Sequence, residues 1–139
     1  MSLKKFILIG SALAAWVLPA IANADLITRN NSPDYSTVRI TSSKDHYCSF
    51  GGGPLGAFNK ATAPNGGVSY TSAAEARTIC QEKGRYCEAD MYPSKNCSGS
   101  PIAHLKIDLV TLQVTQIGPM MNSHYSLNVA GSTVTINYN

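Results

Sequence analysis

Charged side chains are scarce in this chain: 14% of its 139 residues are Asp, Glu, Lys or Arg. There are 11 basic and 8 acidic residues, and two of the basic ones, Lys4 and Lys5, sit at the extreme N-terminus. The remainder holds no basic cluster that could neutralise a run of phosphates, so nucleic acid is not an expected partner. Long apolar runs are also few. The one present, Phe6 to Val17, is too short for a comfortable bilayer span, and nothing later replaces it, so no membrane span is expected. Closely spaced cysteine pairs are missing as well. The shortest gap, Cys80 to Cys87, is wider than the spacing of zinc-binding pairs, which excludes a zinc clip. No Gly-x-Ser-x-Gly elbow occurs, and no base stands ready for a serine nucleophile.

What is present starts with a leader. Lys4 and Lys5 precede the apolar run, Pro19 breaks it, and Ala22-Asn23-Ala24 is an A-x-A cleavage signature. Residues 1–24 are therefore expected to be a cleaved Sec-type signal peptide. Residues 25–139 then form a single domain, large enough for one modest core, in a secreted or periplasmic protein.

Past the leader the pattern is that of strands. Asp25 to Asn30 reads as a first strand ending in the turn signal Asn30-Asn31-Ser32-Pro33-Asp34. Tyr35 to Ser42 alternates, with Val38 and Ile40 on one face and Thr37, Arg39 and Thr41 on the other. These two are expected to pair as an N-terminal hairpin. Ser43 to Gly67 is a long loop rich in glycine. Ser72-x-x-Glu75 is a capping box that opens the one helix, with Ala73, Ala76 and Cys80 on its inner face and Gly84 as its stop. Cys87, Ala89 and Met91 alternate inward along the next strand. Ala103, Leu105, Ile107 and Leu109 do so along its partner. Leu109 to Ile117 is either one further strand or a tight turn near Val110-Thr111 followed by a hairpin partner. Tyr125, Leu127 and Val129, then Val134, Ile136 and Tyr138, flank Ala130-Gly131-Ser132-Thr133 as a terminal hairpin. The fold expected is all-β: an antiparallel sandwich of about seven strands with one short helix and two disulfides.

Four cysteines in an exported chain read as two bridges with three possible connectivities. A turn centred on Ser94-Lys95 puts Cys87 opposite Ile102 and Cys97 opposite Tyr92. The two cysteines are then about 16 Å apart at ~3.3 Å per residue, beyond the roughly 7 Å a disulfide spans. The preferred pairing is Cys80 with Cys87 and Cys48 with Cys97.

Candidate chemistry is thin. Gly51, Gly52, Gly53 and Leu55 are followed by Ala57-Phe58-Asn59 rather than the Gly-Lys-Ser/Thr of a phosphate loop, so this stretch reads as surface. As a long loop it is the best candidate recognition surface, with Leu55 and Phe58 pinning it. His46, His104 and His124 read as scattered surface histidines, although Asp45 beside His46 and Asp108 near His104 permit an acid–base or metal site on paper. Glu88 and Asp90 point the same way from one strand and read as a solvated face. The seven tyrosines could line a carbohydrate- or protein-binding surface. No cofactor, metal site or catalytic residue is expected.

Cys87-Glu88-Ala89-Asp90-Met91-Tyr92, followed by Asn96-Cys97-Ser98-Gly99 and preceded by Ser36-Thr37-Val38-Arg39-Ile40, resembles a pattern in small exported bacterial proteins without assigned function. Tyr92-x4-Cys97-x-Gly99 is similar to the folded-hairpin signature of βγ-crystallin-type domains, with Cys97 where those carry an aromatic residue. That second resemblance implies calcium binding or protease inhibition. The function expected is an exported non-catalytic binding protein for a protein or carbohydrate, contacting it through Cys48 to Gly67. The alternatives are a secreted hydrolase inhibitor or small hydrolase, and a calcium-binding βγ-crystallin-like module.

Overall fold

The computed structural model describes residues 25–42, 46–49, 61–80 and 84–139. Among the described residues eight strands and one helix follow in order: β1 Asp25–Asn30, β2 Thr37–Ile40, β3 Gly67–Ser72, α1 Ala73–Cys80, β4 Tyr86–Tyr92, β5 Ala103–Asp108, β6 Val114–Ile117, β7 Tyr125–Ala130 and β8 Thr133–Tyr138. They form two four-stranded sheets, ordered β3-β1-β8-β7 and β2-β4-β5-β6. The all-β sandwich with one short helix and two disulfides is the observed architecture. Every pair of neighbouring strands is antiparallel except β1 and β8, which run parallel from Ile27–Thr133 to Asn30–Ile136.

Alternation decides what faces inward. Cys87, Ala89 and Met91 of β4 are buried, as are Ala103, Leu105 and Ile107 of β5. They meet Val134 and Ile136 from the opposite sheet and Ala76 and Cys80 from the helix in one cluster. Fully burying a side chain such as Met91, Ile102 or Ile136 contributes about 1.5–3 kcal/mol. The helix starts where its capping box places it. Glu75 N–H donates to Ser72 Oγ at 3.1 Å, and Ser72 N–H donates back to Glu75 Oε1 at 2.9 Å.

Three expectations need correction. The first two strands do not form a hairpin: β1 lies between β3 and β8, and β2 pairs with β4 in the other sheet. The cause is Asn30, which is fully buried. Its Nδ2 donates to the carbonyls of Asp34 (2.7 Å) and Thr62 (3.3 Å), and its Oδ1 accepts from the amide (3.1 Å) and hydroxyl (2.7 Å) of Ser32. This knot carries the chain across the sandwich instead of folding it back.

The turn between β4 and β5 is not centred on Ser94-Lys95. Met91 pairs with Ala103 and Cys87 with Ile107, so Cys97 stands midway in a wider connection. Cys97 holds a left-handed backbone (φ 55°), and its N–H donates to Thr37 Oγ1 at 2.9 Å.

The third correction is β3, which fills the stretch between the expected end of the loop at Gly67 and the helix cap at Ser72, where no element was expected. The ambiguity after Leu109 resolves as a tight turn. Asp108 Oδ1 accepts from the amides of Val110 and Thr111 at 2.9 and 3.2 Å, and β6 returns antiparallel along β5.

Candidate functional site

Strand β2 is an edge strand, and its free side is where the chain leaves for the glycine-rich segment and comes back. On departure, Ile40 N–H donates to Tyr47 O at 2.9 Å and Ser49 N–H donates to Val38 O at 2.8 Å. Ser49 Oγ accepts from Val38 N–H at 2.9 Å. On return, Ser36 and Thr62 exchange both backbone bonds, at 3.0 and 2.8 Å. Cys48, between the two outgoing contacts, is joined to Cys97 with Cα atoms 6.1 Å apart. The second bridge joins Cys80 at the end of α1 to Cys87 in β4. Both ends of the segment are thus fixed on one strand, and one end is covalently tied to the β4–β5 turn. That turn is itself held by Thr37 Oγ1, which donates to Ser94 O at 2.9 Å.

The segment itself, with Gly51, Gly52, Gly53, Leu55 and Phe58, lies outside the described residues, as does Asp45. His46 is described: its carbonyl accepts from Arg39 Nη1 at 2.9 Å.

Arg39 leads to the outer face of this sheet. In register it faces Asp90, which faces His104. The histidine is gripped from two sides. Nδ1 lies 2.6 Å from Asp90 Oδ1, and Nε2 lies 2.9 Å from Glu88 Oε1. Glu88 and Asp90 are therefore more than a solvated face: they clamp the histidine between them. The hydrogen bonds it donates to Glu88, then to Asp90, hold the imidazole above its ordinary pKa of 6.5, against a smaller opposing effect of burial.

Asp108 is not the partner of His104. It pairs with Arg85 at 2.8 Å, and that contact, with the two turn amides, brings its carboxyl down to about 2. Beside this pair, Tyr86 lies under Lys106 Nζ at 4.4 Å and Arg85 at 5.7 Å from the ring centroid. The exposed tyrosines are not pooled on one surface, since Tyr70 lies on β3 in one sheet and Tyr86 on β4 in the other.

The His104 cluster is held together by its own side chains and is half-open to water. Both ring nitrogens and one oxygen from each carboxylate are engaged with one another. Among the described residues no group of three His, Cys, Asp or Glu side chains is disposed to hold a metal ion. No helix among them is long and apolar enough to cross a membrane. Sequence reasoning missed the His104 clamp. Its only sign was the i, i+2 pair Glu88 and Asp90, and the register that sets His104 opposite Asp90 requires the wider turn around Cys97.

No family model and no curated protein matches the chain. Among solved structures, its fold is similar to that of the Legionella pneumophila type II secretion system substrate NttC. The TM-score is 0.65 with 22% identity, over 85% of this chain and 100% of that one.

Proposed function

We propose that this chain is an exported, non-catalytic binding protein that presents its glycine-rich segment to a partner from a stapled edge of the sandwich. In this reading residues 1–24 are removed on export, and residues 25–139 act in the periplasm or the medium. Two disulfides fit an oxidising compartment, and a fold like that of a type II secretion substrate fits an exported role. The observation that carries the reading is the grip on both ends of the segment, hydrogen-bonded to β2 on either side and bridged by Cys48–Cys97. Fixing the ends of a loop lowers the conformational entropy lost when it binds.

The test replaces residues 51–58 with a short Gly-Ser linker and compares its partners with those of the wild-type protein in pull-downs from the natural extracellular setting. Partners specific to the wild type are expected to disappear from the variant while its melting temperature is kept. Undiminished capture refutes the assignment. Protease and glycosidase assays, run for both activity and inhibition, separate a bare binder from an inhibitor or a hydrolase.

A further inference from the structure

The four edge strands are β3 and β7 in one sheet and β2 and β6 in the other. A free edge carries a row of backbone N–H and C=O groups that can pair with another chain, and most proteins blunt it. Strand β2 is covered by Tyr47 and Ser49. Strand β6 has four residues, and its Val114 N–H donates to Gly131 O at 2.9 Å. Strand β3 hands its last amide, Ser72 N–H, to Glu75 and passes directly into α1. Strand β7 has six residues, Tyr125–Ala130, and no charge, proline or bulge interrupts it.

The register shows which groups of β7 are left over. Ser132 O and Ile136 O accept from Ile27 and Asn31 N–H at 2.9 and 2.8 Å, so the even-numbered residues of β8 face β1. The odd-numbered ones face β7, and Asn139 N–H accordingly donates to His124 O at 2.8 Å. Ser126, Asn128 and Ala130 of β7 therefore bond to β8, opposite Asn137, Thr135 and Thr133. Leu127 and Val129 direct their N–H and C=O groups away from the sheet. Among the described residues no hydrogen bond reaches those four groups. The Leu127 and Val129 side chains pack partly buried against the core, while Asn128 is exposed on the outer face. The surroundings are also uncharged: from Leu109 to Asn139 there is no Asp, Glu, Lys or Arg.

We infer that β7 is a dimerisation edge, on which a second copy of this chain lays its own β7 antiparallel about a twofold axis at Asn128. A twofold sets each surface against itself. A charged edge would repel its copy, and this one has no charge to repel. The register follows from the free groups. Centring the pair on Asn128 sets Leu127 opposite Val129 of the second copy, and Val129 opposite Leu127 of the second copy, so every outward N–H and C=O finds a partner. On the inner face this covers leucine with valine, a favourable cross-strand contact. On the outer face it brings the two Asn128 amides together, each able to donate and accept. The two four-stranded sheets joined edge to edge become one of eight strands. The contact is a ribbon one strand wide, so it belongs to the small, weak class of interface. Strand β2, which anchors the glycine-rich segment, lies at the far edge of its sheet from β6, so loss of this pairing leaves the function proposed above untouched.

The experiment follows the mass of the oxidised protein by analytical ultracentrifugation from about 1 μM to about 1 mM, the span of weak affinities. Wild type is expected to pass from monomer to dimer across this range, and hydrogen exchange at the Leu127 and Val129 amides is expected to slow as the dimer fraction rises. Asn128→Lys and Asn128→Asp each set like charges face to face and are expected to weaken dimerisation about tenfold or more. An equimolar mixture of the two variants is expected to dimerise again, because the twofold then opposes lysine to aspartate. The substituted side chain is exposed, so at the dilute end both variants are expected to melt where wild type does. The proposal is overturned if wild type stays monomeric throughout, which leaves the edge to a strand of foreign origin. It is equally overturned if wild type dimerises while both amides exchange as in the monomer, or if the mixture behaves as its separate components do.

Discussion

Asp90 stands directly across the β4–β5 pair from His104, and its Oδ1 is 2.6 Å from the ring Nδ1. Glu88 Oε1 holds the other nitrogen at 2.9 Å. A neutral imidazole has a proton on only one nitrogen, so one of these contacts would then set a lone pair against a carboxylate. The imidazolium donates to both. Arg39 beside Asp90 and Lys106 beside Glu88 are the other charges in the row. Their heads are engaged elsewhere, Arg39 Nη1 on His46 O and Lys106 Nζ over the Tyr86 ring.

The pH dependence follows. The folded-state pKa of His104 is raised above its unfolded value of about 6.5. The stabilisation is fully present below that unfolded value and is lost as pH rises through the folded pKa. Thermal melts of wild type and His104→Asn from about pH 5 to about pH 9 are expected to show a gap that narrows toward the alkaline end. The cluster is half-open to water, with the Glu88 side chain 45% exposed, so the gap stays below about 1 kcal/mol. An NMR titration placing the His104 midpoint at or below the ordinary value contradicts the clamp.

The two disulfides close loops of very different length. Cys48 and Cys97 are 49 residues apart, and Cys80 and Cys87 are 7 apart. In the chain-entropy account, the long loop stabilises the fold by about 4 kcal/mol and the short one by about 2.5 kcal/mol. Urea unfolding of Cys48→Ser/Cys97→Ser and Cys80→Ser/Cys87→Ser is expected to rank the first pair as the more damaging. Losing Cys48–Cys97 also leaves that turn held by Thr37 and by Lys95 over the Tyr35 ring. The reverse order contradicts this account.

The legible parts of the fold are those where one face is apolar and the other is not. Strands β4, β5, β7 and β8 show it in Cys87-Ala89-Met91, Leu105-Ile107, Tyr125-Leu127-Val129 and Val134-Ile136, and Ser72 with Glu75 marks the helix start to the residue. Strand β3 was illegible because its alternation is inverted: Val68 and Tyr70 advertise the face that turns outward. The β4–β5 register was misread because Pro93-Ser94-Lys95-Asn96 is good turn chemistry, yet the real connection is shaped by Cys97, whose left-handed backbone and bond to Thr37 are tertiary. The His104 clamp depends on that register and could not be read without it. Asn30 looked like the first residue of an ordinary turn. Nothing local distinguishes a turn that reverses a strand from one that passes it to the other sheet.

Asn30 is accordingly the residue on which the crossing depends. Its amide serves two carbonyls, Asp34 O at 2.7 Å and Thr62 O at 3.3 Å, and its oxygen takes two donors from Ser32; the bonds to Thr62 and Ser32 are buried and the one to Asp34 partly so. Asn30→Ala leaves the Ser32 amide without its acceptor and takes one donor each from Asp34 O and Thr62 O, which keep Ser32 Oγ and Ser36 N–H; a buried unpaired group costs about 1–3 kcal/mol. The expected loss is about 1–3 kcal/mol in urea unfolding, seen as a lower midpoint with an unchanged slope. Asn30→Asp is the sharper test, because it keeps the shape and both acceptor bonds. A carboxylate cannot donate to Asp34 O or Thr62 O, and it brings a buried charge toward two carbonyl dipoles. At neutral pH it is therefore expected to be at least as damaging as alanine. Lowering the pH is expected to narrow the gap to wild type, because the protonated acid regains a donor. An Asn30→Asp protein as stable as wild type at neutral pH would show that shape, rather than the donated bonds, carries the chain between the sheets.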